Sequence, residues 1–476
     1  MLSSAPRPDS LDVQFSPDIE LLKRHDGQSP RYTSYPPATA FTDHFGPAQL
    51  TQALERSNAA ARNLSLYVHI PFCRRICFYC GCNRIATRQT AIAEPYLARL
   101  TREMLLMRRH LDGRRRVEQL HWGGGTPTFL DLDQMSRLMD QLGTHFNLSS
   151  HPERDFAIEI DPREADVYTL RHLQSLGFNR LSLGVQDLDV RVQKAINRVQ
   201  PRELSENLID EAYRLGFRSL NLDLIYGLPH QSVASFARTL DQVIDMAPAR
   251  LCVFNYAHLP ERFLPQRRIN HADLPDAATR LAIQCMTVEK LTQAGYVHIG
   301  MDHFARPDDS LAVAQREGHL QRNFQGYTTH AQCDLIGLGV SAISQVDDVY
   351  AQNTARLETW QTAIDDGQLA TCRGVRLSED DRLRRDVIHR LMCDMQLDFD
   401  AIEARFGIRA SSYFANAFER LATFRRDGLI EYNKHLLMVM PMGRLLIRQL
   451  AMAFDASSPI EYRQQCSRPL QARERT

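Results

Sequence analysis

The apolar positions of residues 61 to about 305 switch repeatedly between two periods. "LSLYVHI" (64–70) sets Leu, Leu, Val and Ile two apart, as in a strand with one apolar face, and the segment from Glu94 to His110 repeats its apolar residues at helical spacing. The alternation continues with "VEQLHW" (117–122) and Leu132 to Phe146, "FAIEI" (156–160) and "EADVYTLRHLQSLGF" (164–178), and "RLSLGVQ" (180–186) and "PRELSENLIDEAYRLGF" (201–217). "LNLDLIYG" (220–227), "SVASFARTLDQVID" (232–245), "RLCVFNYA" (250–257) and "DAATRLAIQCMTVEKLTQAGY" (276–296) complete six strand–helix units, with a further strand at "VHIGMDH" (297–303). Strands joined in this way run parallel with right-handed crossovers. The expected fold is therefore α/β, a partial or complete TIM-like (β/α) barrel of about six units. An open doubly wound sheet fits the same rhythm.

The flanks read differently. Residues 1–60 hold "PRYTSYPPATAF" (30–41), whose aromatic and proline spacing suits an extended ordered arm with little helix signal. From 371 the pattern turns helical, with "DRLRRDVIHRLMCDMQ" (381–396), "AIEARFG" (401–407) and "YFANAFERLATFRRDG" (413–428), then a hairpin-like "LIEYNKHLLMVM" (429–440) and a last helix from Gly443. The expected division is an arm (1–60), a barrel (61–370) and a mostly helical, winged-helix-like cap (371–476). No arginine-rich stripe marks a recognition helix, so a cap is favoured over a DNA reader.

The unusual residues fall at the C-terminal ends of the predicted strands, where both candidate folds place their chemistry. They are the cysteines after the first strand, "GGGTPT" (123–128), "EIDPRE" (159–164), Gln186, Asp223 and "NYAH" (255–258). Asp161-Pro162 and Pro229 read better as turn and cap residues. Taken singly, Glu159 and Asp223 suit salt bridges, Gln186 a capping amide and Tyr67 a packed strand aromatic; their common location with the cysteines favours a composite site.

Charge adds little: Lys plus Arg and Asp plus Glu both total 57, so no net field draws the chain to nucleic acid or an anionic membrane. "MLSSAPRPDSLDVQ" lacks a signal-peptide core and no run reaches the length of a membrane span, so a cytoplasmic location is expected. In that reducing setting clustered thiols read as metal ligands or redox groups, while Cys252, Cys285, Cys333, Cys372, Cys393 and Cys466 stand singly as small hydrophobes.

Four of the ten cysteines lie in "FCRRICFYCGC" (72–82), spaced C-x3-C-x2-C-x-C. Structural zinc sites usually split their ligands into two distant pairs, and a thioredoxin-like C-x-x-C at Cys77 and Cys80 would not be crowded by two more thiols. An iron–sulfur cluster is favoured, and three thiolates on one short loop would leave a fourth iron open to a ligand. Cys82, tethered two residues from Cys80, is a weak fourth ligand.

The C-x3-C-x2-C after the first strand resembles the radical S-adenosylmethionine enzymes. "YVHIPFCRRICFYCGCN" (67–83), "LHWGGGTPTFL" (120–130), "GVQD" (184–187), "DLIYGLP" (223–229), "NYAHLP" (255–260), "GMDHFARPDD" (300–309) and the "PRYTSYP" arm resemble, within them, the oxygen-independent coproporphyrinogen III oxidases. The resemblance implies a 4Fe-4S cluster on Cys73, Cys77 and Cys80, with S-adenosylmethionine on the open iron, cleaved to methionine and a 5′-deoxyadenosyl radical. It further implies oxidative decarboxylation of two propionates of coproporphyrinogen III to vinyl groups, giving protoporphyrinogen IX. Tyr67, which joins the three cysteines in the catalytic set, Gly124, Glu159 and Ile343 would hold a first S-adenosylmethionine. Tyr79, Gly125, Thr126, Gln186, Arg198, Asp223 and Ala257 would hold a second, with Tyr79 standing where the family is expected to have phenylalanine. Gly124 and Gly125 would let the backbone approach the cofactor and offer N–H groups to its carboxylate.

The substrate's carboxylates call for arginines, and Arg31, Arg306 and Arg322 are the candidates. Other expected partners are an unidentified reductant and electron acceptor, with no nucleic acid and no membrane, and the chain is expected to be a monomer. A haem chaperone of the same superfamily is the nearest alternative, opposed by Cys82 and the arm motif. A zinc-stabilised DNA-binding regulator is the third.

Overall fold

The structure is a computed structural model that describes residues 18–25, 27, 30, 32–330 and 332–456. The N-terminal stretch 1–14, Arg31 and Cys466 lie outside the described residues.

The six predicted strands form as β1 (Leu64–Ile70), β2 (Arg116–Gly124), β3 (Asp155–Ile160), β4 (Arg180–Gln186), β5 (Ser219–Tyr226) and β6 (Arg250–Asn255). They are parallel neighbours in chain order. Between them run α1 (Ala93–Arg108), α2 (Leu132–His145), α3 (Val167–Ser175), α4 (Arg202–Arg214) and α5 (Val233–Asp245), and α6 (Ala277–Gln293) follows β6. Short polar side chains start several of these helices: Asp131 accepts the Gln134 N–H, Asp166 that of Thr169, Ser232 that of Ser235 and Asp276 that of Thr279. Each satisfies an amide that the first helical turn leaves unpaired.

Period-two alternation gives the sheet one apolar and one polar face. Leu66, Val68, Leu120, Trp122, Ile158, Leu183, Leu222 and Leu224 are completely buried, in one core with the inward stripes of the helices, such as Phe236, Leu240 and Val243 of α5. Burial of each such side chain stabilises the fold by about 1.5–3 kcal/mol. The other face carries Ser65, Gln119, Tyr67, His121, Glu159, Ser182, Asn221 and Asp223: Ser65 donates to Gln119, His121 pairs with Glu159 and stacks on Tyr67, and Asn221 and Asp223 both bond Ser182.

The chain departs from expectation beyond β6. "VHIGMDH" is two strands, β7 (Val297–Gly300) and β8 (His303–Ala305), because Met301 at φ 50° turns the backbone. These pair antiparallel, and β8 pairs antiparallel with β6, so the seventh strand does not extend the parallel series. At the opposite edge β9 (Asp334–Leu338) pairs parallel with β1, followed by β10 (Ile343–Val346), β11 (Val349–Asn353) and β12 (Thr371–Arg376) in antiparallel succession. The path β7-β8-β6-β5-β4-β3-β2-β1-β9-β10-β11-β12 stays open, with no pairing of its ends among the described residues. Of the two forms expected, partial and complete, the barrel is therefore the partial, open one.

The arm is also more helical than its sequence suggested. Ile19–His25 and Pro47–Asn58 are helices, the second burying Leu50, Ala53, Leu54 and Ser57 at helical spacing. In the C-terminal region helices at Glu379–Asp394, Phe399–Phe406 and Ala415–Arg426 accompany a three-stranded sheet of 396–398, 436–439 and 430–432. Its core takes in Tyr32 and Tyr35 of the arm and Ile299 and Met301 of the barrel edge. Tyr32 donates to Asp455 at 2.8 Å, a tie between the arm and the far end of the chain. Among the described residues no helix is long and apolar enough to cross a membrane.

Candidate active site

The cysteine loop leaves the end of β1 and folds back on the end of β2. Gly125 N–H donates to Ile70 O and Thr126 N–H to Phe72 O, both at 2.8 Å, and Ile85 N–H returns to Pro71 O at 2.6 Å. Cys73 and Cys77 are buried, Cys80 is half-buried and Cys82 is exposed.

Each of the three predicted ligand thiols receives a hydrogen bond. Thr126 Oγ1 donates to Cys73 Sγ at 3.4 Å, Arg163 Nη2 and Arg198 Nη1 donate to Cys77 Sγ at 3.3 and 3.4 Å, and Cys82 N–H donates to Cys80 Sγ at 3.4 Å. Arg84 lies along the loop and donates to the carbonyls of Cys77, Cys80 and Cys82. Hydrogen bonding from Cys82 holds the Cys80 thiol down at about 6, against burial and with the help of the Arg84 cation, whereas burial pushes Cys73 up to about 11. The thiolate is the form that binds metal.

The glycine run works by shape. A Cβ on Gly123 would stand 2.6 Å from Glu159 Oε1, one on Gly124 2.5 Å from His69 Cε1, and one on Gly125 2.7 Å from Phe72 O. Gly124 also has φ +112°, which favours glycine. Their N–H groups are already used, Gly124 on Glu159 at 3.2 Å and Gly125 on Ile70. The expected donation of these amides to a cofactor carboxylate is therefore corrected: the glycines keep the wall thin, and their donors serve the protein.

Glu159 pairs with His121 Nε2 at 3.0 Å and is partly exposed. Desolvation by the surrounding wall raises its pKa, and the His121 hydrogen bond and charge with the Gly124 N–H outweigh it, holding the carboxyl below its ordinary value. Tyr67 stacks on His121 with ring centroids 5.8 Å apart, and its hydroxyl meets His69 Nδ1 at 3.1 Å. Burial, then the Glu159 charge, keeps that phenol protonated far above the usual range. Asp223 accepts from Asn221 at 2.8 Å and Ser182 at 3.1 Å, and burial raises it to about 6.

Gln186 ends β4 at φ 69°, an uncommon conformation for a side-chain-bearing residue and one that clusters at functional sites. A Cβ on Gly184 would come within 2.9 Å of both Gln186 Nε2 and Arg198 Nη2, so glycine there admits both side chains. Ala257 and Tyr79 are tied together by Gln266, whose Nε2 donates to both carbonyls. Ile343, at the start of β10, packs with the aromatic group of Phe41, Phe324 and Tyr350, backed by Gly337. The predicted residues thus divide between the cysteine end of the parallel strands and this neighbouring wall.

The candidate arginines separate. Arg306 is exposed, and its N–H bonds Ala249 O at the N-terminal edge of β6, the end of the strand opposite the cysteines, which corrects its expected placement at the mouth. Arg322 is buried, with Nε donating to Tyr32 O, its guanidinium 4.9 Å from the Tyr327 centroid and Nη1 without a hydrogen-bond partner among the described residues. Sequence reasoning missed Arg163, Arg84 and Gln266. The expected capping role of Asp161 is one part of what it does: it accepts the Arg163 N–H at 3.0 Å, and its carboxylate in addition binds the side chains of both Arg163 and Arg198. The signal lay in "DPRE", a carboxylate two residues before an arginine at a strand end.

Such a loop on an open α/β barrel defines a radical S-adenosylmethionine protein: residues 67–243 match the Radical SAM superfamily, and residues 377–446 match the HemN C-terminal domain. The chain is 54% identical over 451 residues to the oxygen-independent coproporphyrinogen III oxidase of Pseudomonas aeruginosa, covering 95% of this chain and 98% of that one. It is 49% identical to the Escherichia coli protein of the same name over 92% of this chain and 95% of that one. The solved structure described as "Coproporphyrinogen III oxidase (HemN) from Escherichia coli is a Radical SAM enzyme" superposes with a TM-score of 0.88 at 48% identity, covering 93% of this chain and 99% of that one. The chain belongs to the family of oxygen-independent coproporphyrinogen III oxidases. The cofactors of this family are a 4Fe-4S cluster and S-adenosylmethionine. The donor set fits them: three thiols on one loop, each receiving a hydrogen bond, with Cys80 held toward its thiolate.

Proposed function

We propose that the chain catalyses the anaerobic oxidative decarboxylation of two propionate side chains of coproporphyrinogen III to vinyl groups, giving protoporphyrinogen IX in haem biosynthesis. The carrying observation is the convergence of three hydrogen-bonded thiols, the glycine wall and Glu159 at one end of the parallel strands. The bound cluster and S-adenosylmethionine supply the radical chemistry needed to remove hydrogen from an unactivated carbon. By balance each propionate loses one hydrogen atom, carbon dioxide and one electron, so an external reductant and an electron acceptor take part.

In this reading Cys73, Cys77 and Cys80 hold the cluster, and Tyr67, Gly124, Glu159 and Ile343 hold the first S-adenosylmethionine. Tyr79, Gly125, Thr126, Gln186, Arg198, Asp223 and Ala257 hold a second. The Glu159 carboxylate, kept ionised by His121, accepts hydrogen bonds from hydroxyl or amino donors of the ligand. The Tyr67 phenol stays neutral with its O–H directed at His69 Nδ1, leaving its oxygen and ring to meet the ligand. The working division is the arm (1–60), the barrel (61–370) and the cap (371–476), in a cytoplasmic monomer that binds neither nucleic acid nor membrane.

The test is conversion of coproporphyrinogen III to protoporphyrinogen IX under nitrogen with reductant and S-adenosylmethionine. Absence of vinyl product together with tight haem binding would replace this reading with a haem chaperone. Cys77→Ala removes cluster and activity together, and Cys82→Ala keeps the cluster colour while perturbing turnover; a colourless Cys82 variant would show four ligands.

A further inference from the structure

The donors to the three thiols are not alike. Cys73 takes a neutral hydroxyl and Cys80 a backbone amide, whereas Cys77 takes two guanidinium groups. Arg163 is held as a fork on Asp161, Nε to Oδ1 at 3.0 Å and Nη2 to Oδ2 at 2.7 Å, and the same Nη2 reaches Cys77 Sγ. Arg198 Nη1 donates to the same Oδ2 at 3.0 Å, with Nη2 on Gly184 O at 2.6 Å. All three side chains are at least nine-tenths buried, at 4, 6 and 9% exposure for Arg163, Arg198 and Asp161. One carboxylate thus aligns two cations on one sulfur, leaving a net positive charge in a region that water screens little.

We propose that Arg163, aligned by Asp161, is a positioning residue that raises the reduction potential of the iron–sulfur cluster through Cys77. This inference rests on the cluster assignment made above. Reduction adds one negative charge to the cluster, and N–H donors and positive charge at a ligand sulfur stabilise the reduced form more than the oxidised one. An isolated salt bridge would not need a donor directed at a thiol, and the nearby Arg75 shows the contrast, being exposed and 3.7 Å from Glu164.

The test is anaerobic reconstitution of the full chain, with iron and sulfide assay and redox titration of the EPR signal of the reduced cluster. Arg163→Met is expected to bind parental amounts of iron and sulfide while its midpoint falls. At fixed donor potential the reduced-to-oxidised ratio drops about tenfold, equivalent to about 60 mV for a one-electron couple. Arg163→Lys, which keeps the charge, is expected to shift less, and Arg75→Met to stay at the parental value. An unchanged midpoint in Arg163→Met, an equal shift in Arg75→Met, or loss of the cluster from both Arg163 variants would overturn the proposal. A parental chain that assembles no cluster would instead overturn the cluster assignment, and this inference with it.

Discussion

Gly125→Ala probes how the cysteine loop is seated. The new Cβ would stand 2.7 Å from Phe72 O, 2.9 Å from Phe72 N and 2.9 Å from Pro71 C. All three are backbone atoms, so no side chain can swing aside, and relief means moving the strand exit that carries Cys73. Overpacking of this kind costs about 1–3 kcal/mol. The Gly125 N–H to Ile70 O and Thr126 N–H to Phe72 O bonds span the same gap, and weakening them adds about 0.5–1.5 kcal/mol each. The total, about 2–6 kcal/mol, is a large share of the roughly 5–15 kcal/mol that keeps a domain folded. Urea denaturation of the cluster-free chain should show a lower midpoint, and anaerobic reconstitution should give less iron and sulfide per chain. Gly143→Ala is the control, since Gly143 lies within α2, where alanine is the better helix former, and its Cβ would meet only Leu148 beyond the helix at an ordinary 3.8 Å. A Gly125→Ala chain that melts and reconstitutes like the parent would refute the steric reasoning.

Glu159→Gln removes the charge but keeps the shape, so S-adenosylmethionine affinity measured by calorimetry should fall about tenfold to a hundredfold, a charged hydrogen bond contributing about 1.5–3 kcal/mol, with cluster content unchanged. Asp223 titrates near 6 because burial disfavours its anion, so the folded chain keeps that proton longer than the unfolded chain does. The raised carboxyl contributes stability that is present at low pH and lost as pH rises from about 4 to about 6. Asp223→Asn should therefore gain stability relative to the parent across that window, and parallel curves in urea denaturation at stepped pH would contradict this.

What the sequence determined by itself was local. Strand and helix periods are written within single segments, so β1 to β6 and their helices fall within a few residues of the expected bounds, and the spacing of Cys73, Cys77 and Cys80 marks one ligand loop. Helix Pro47–Asn58 was legible too, in the spacing of Leu50, Ala53, Leu54 and Ser57, but the prolines and aromatics beside it drew attention to an extended arm. Only the tertiary structure could decide whether the sheet closes, because that depends on β9 pairing with β1 across some 270 residues and on the backbone turn at Met301. The same holds for the thiol donors: Arg163 and Arg198 are 86 and 121 positions from Cys77, a distance over which no period carries information. The glycine run shows both sides. Its residues announce close approach, but its amides are spent on Glu159 and Ile70, since a buried N–H takes the nearest acceptor and the fold chooses which acceptor is near.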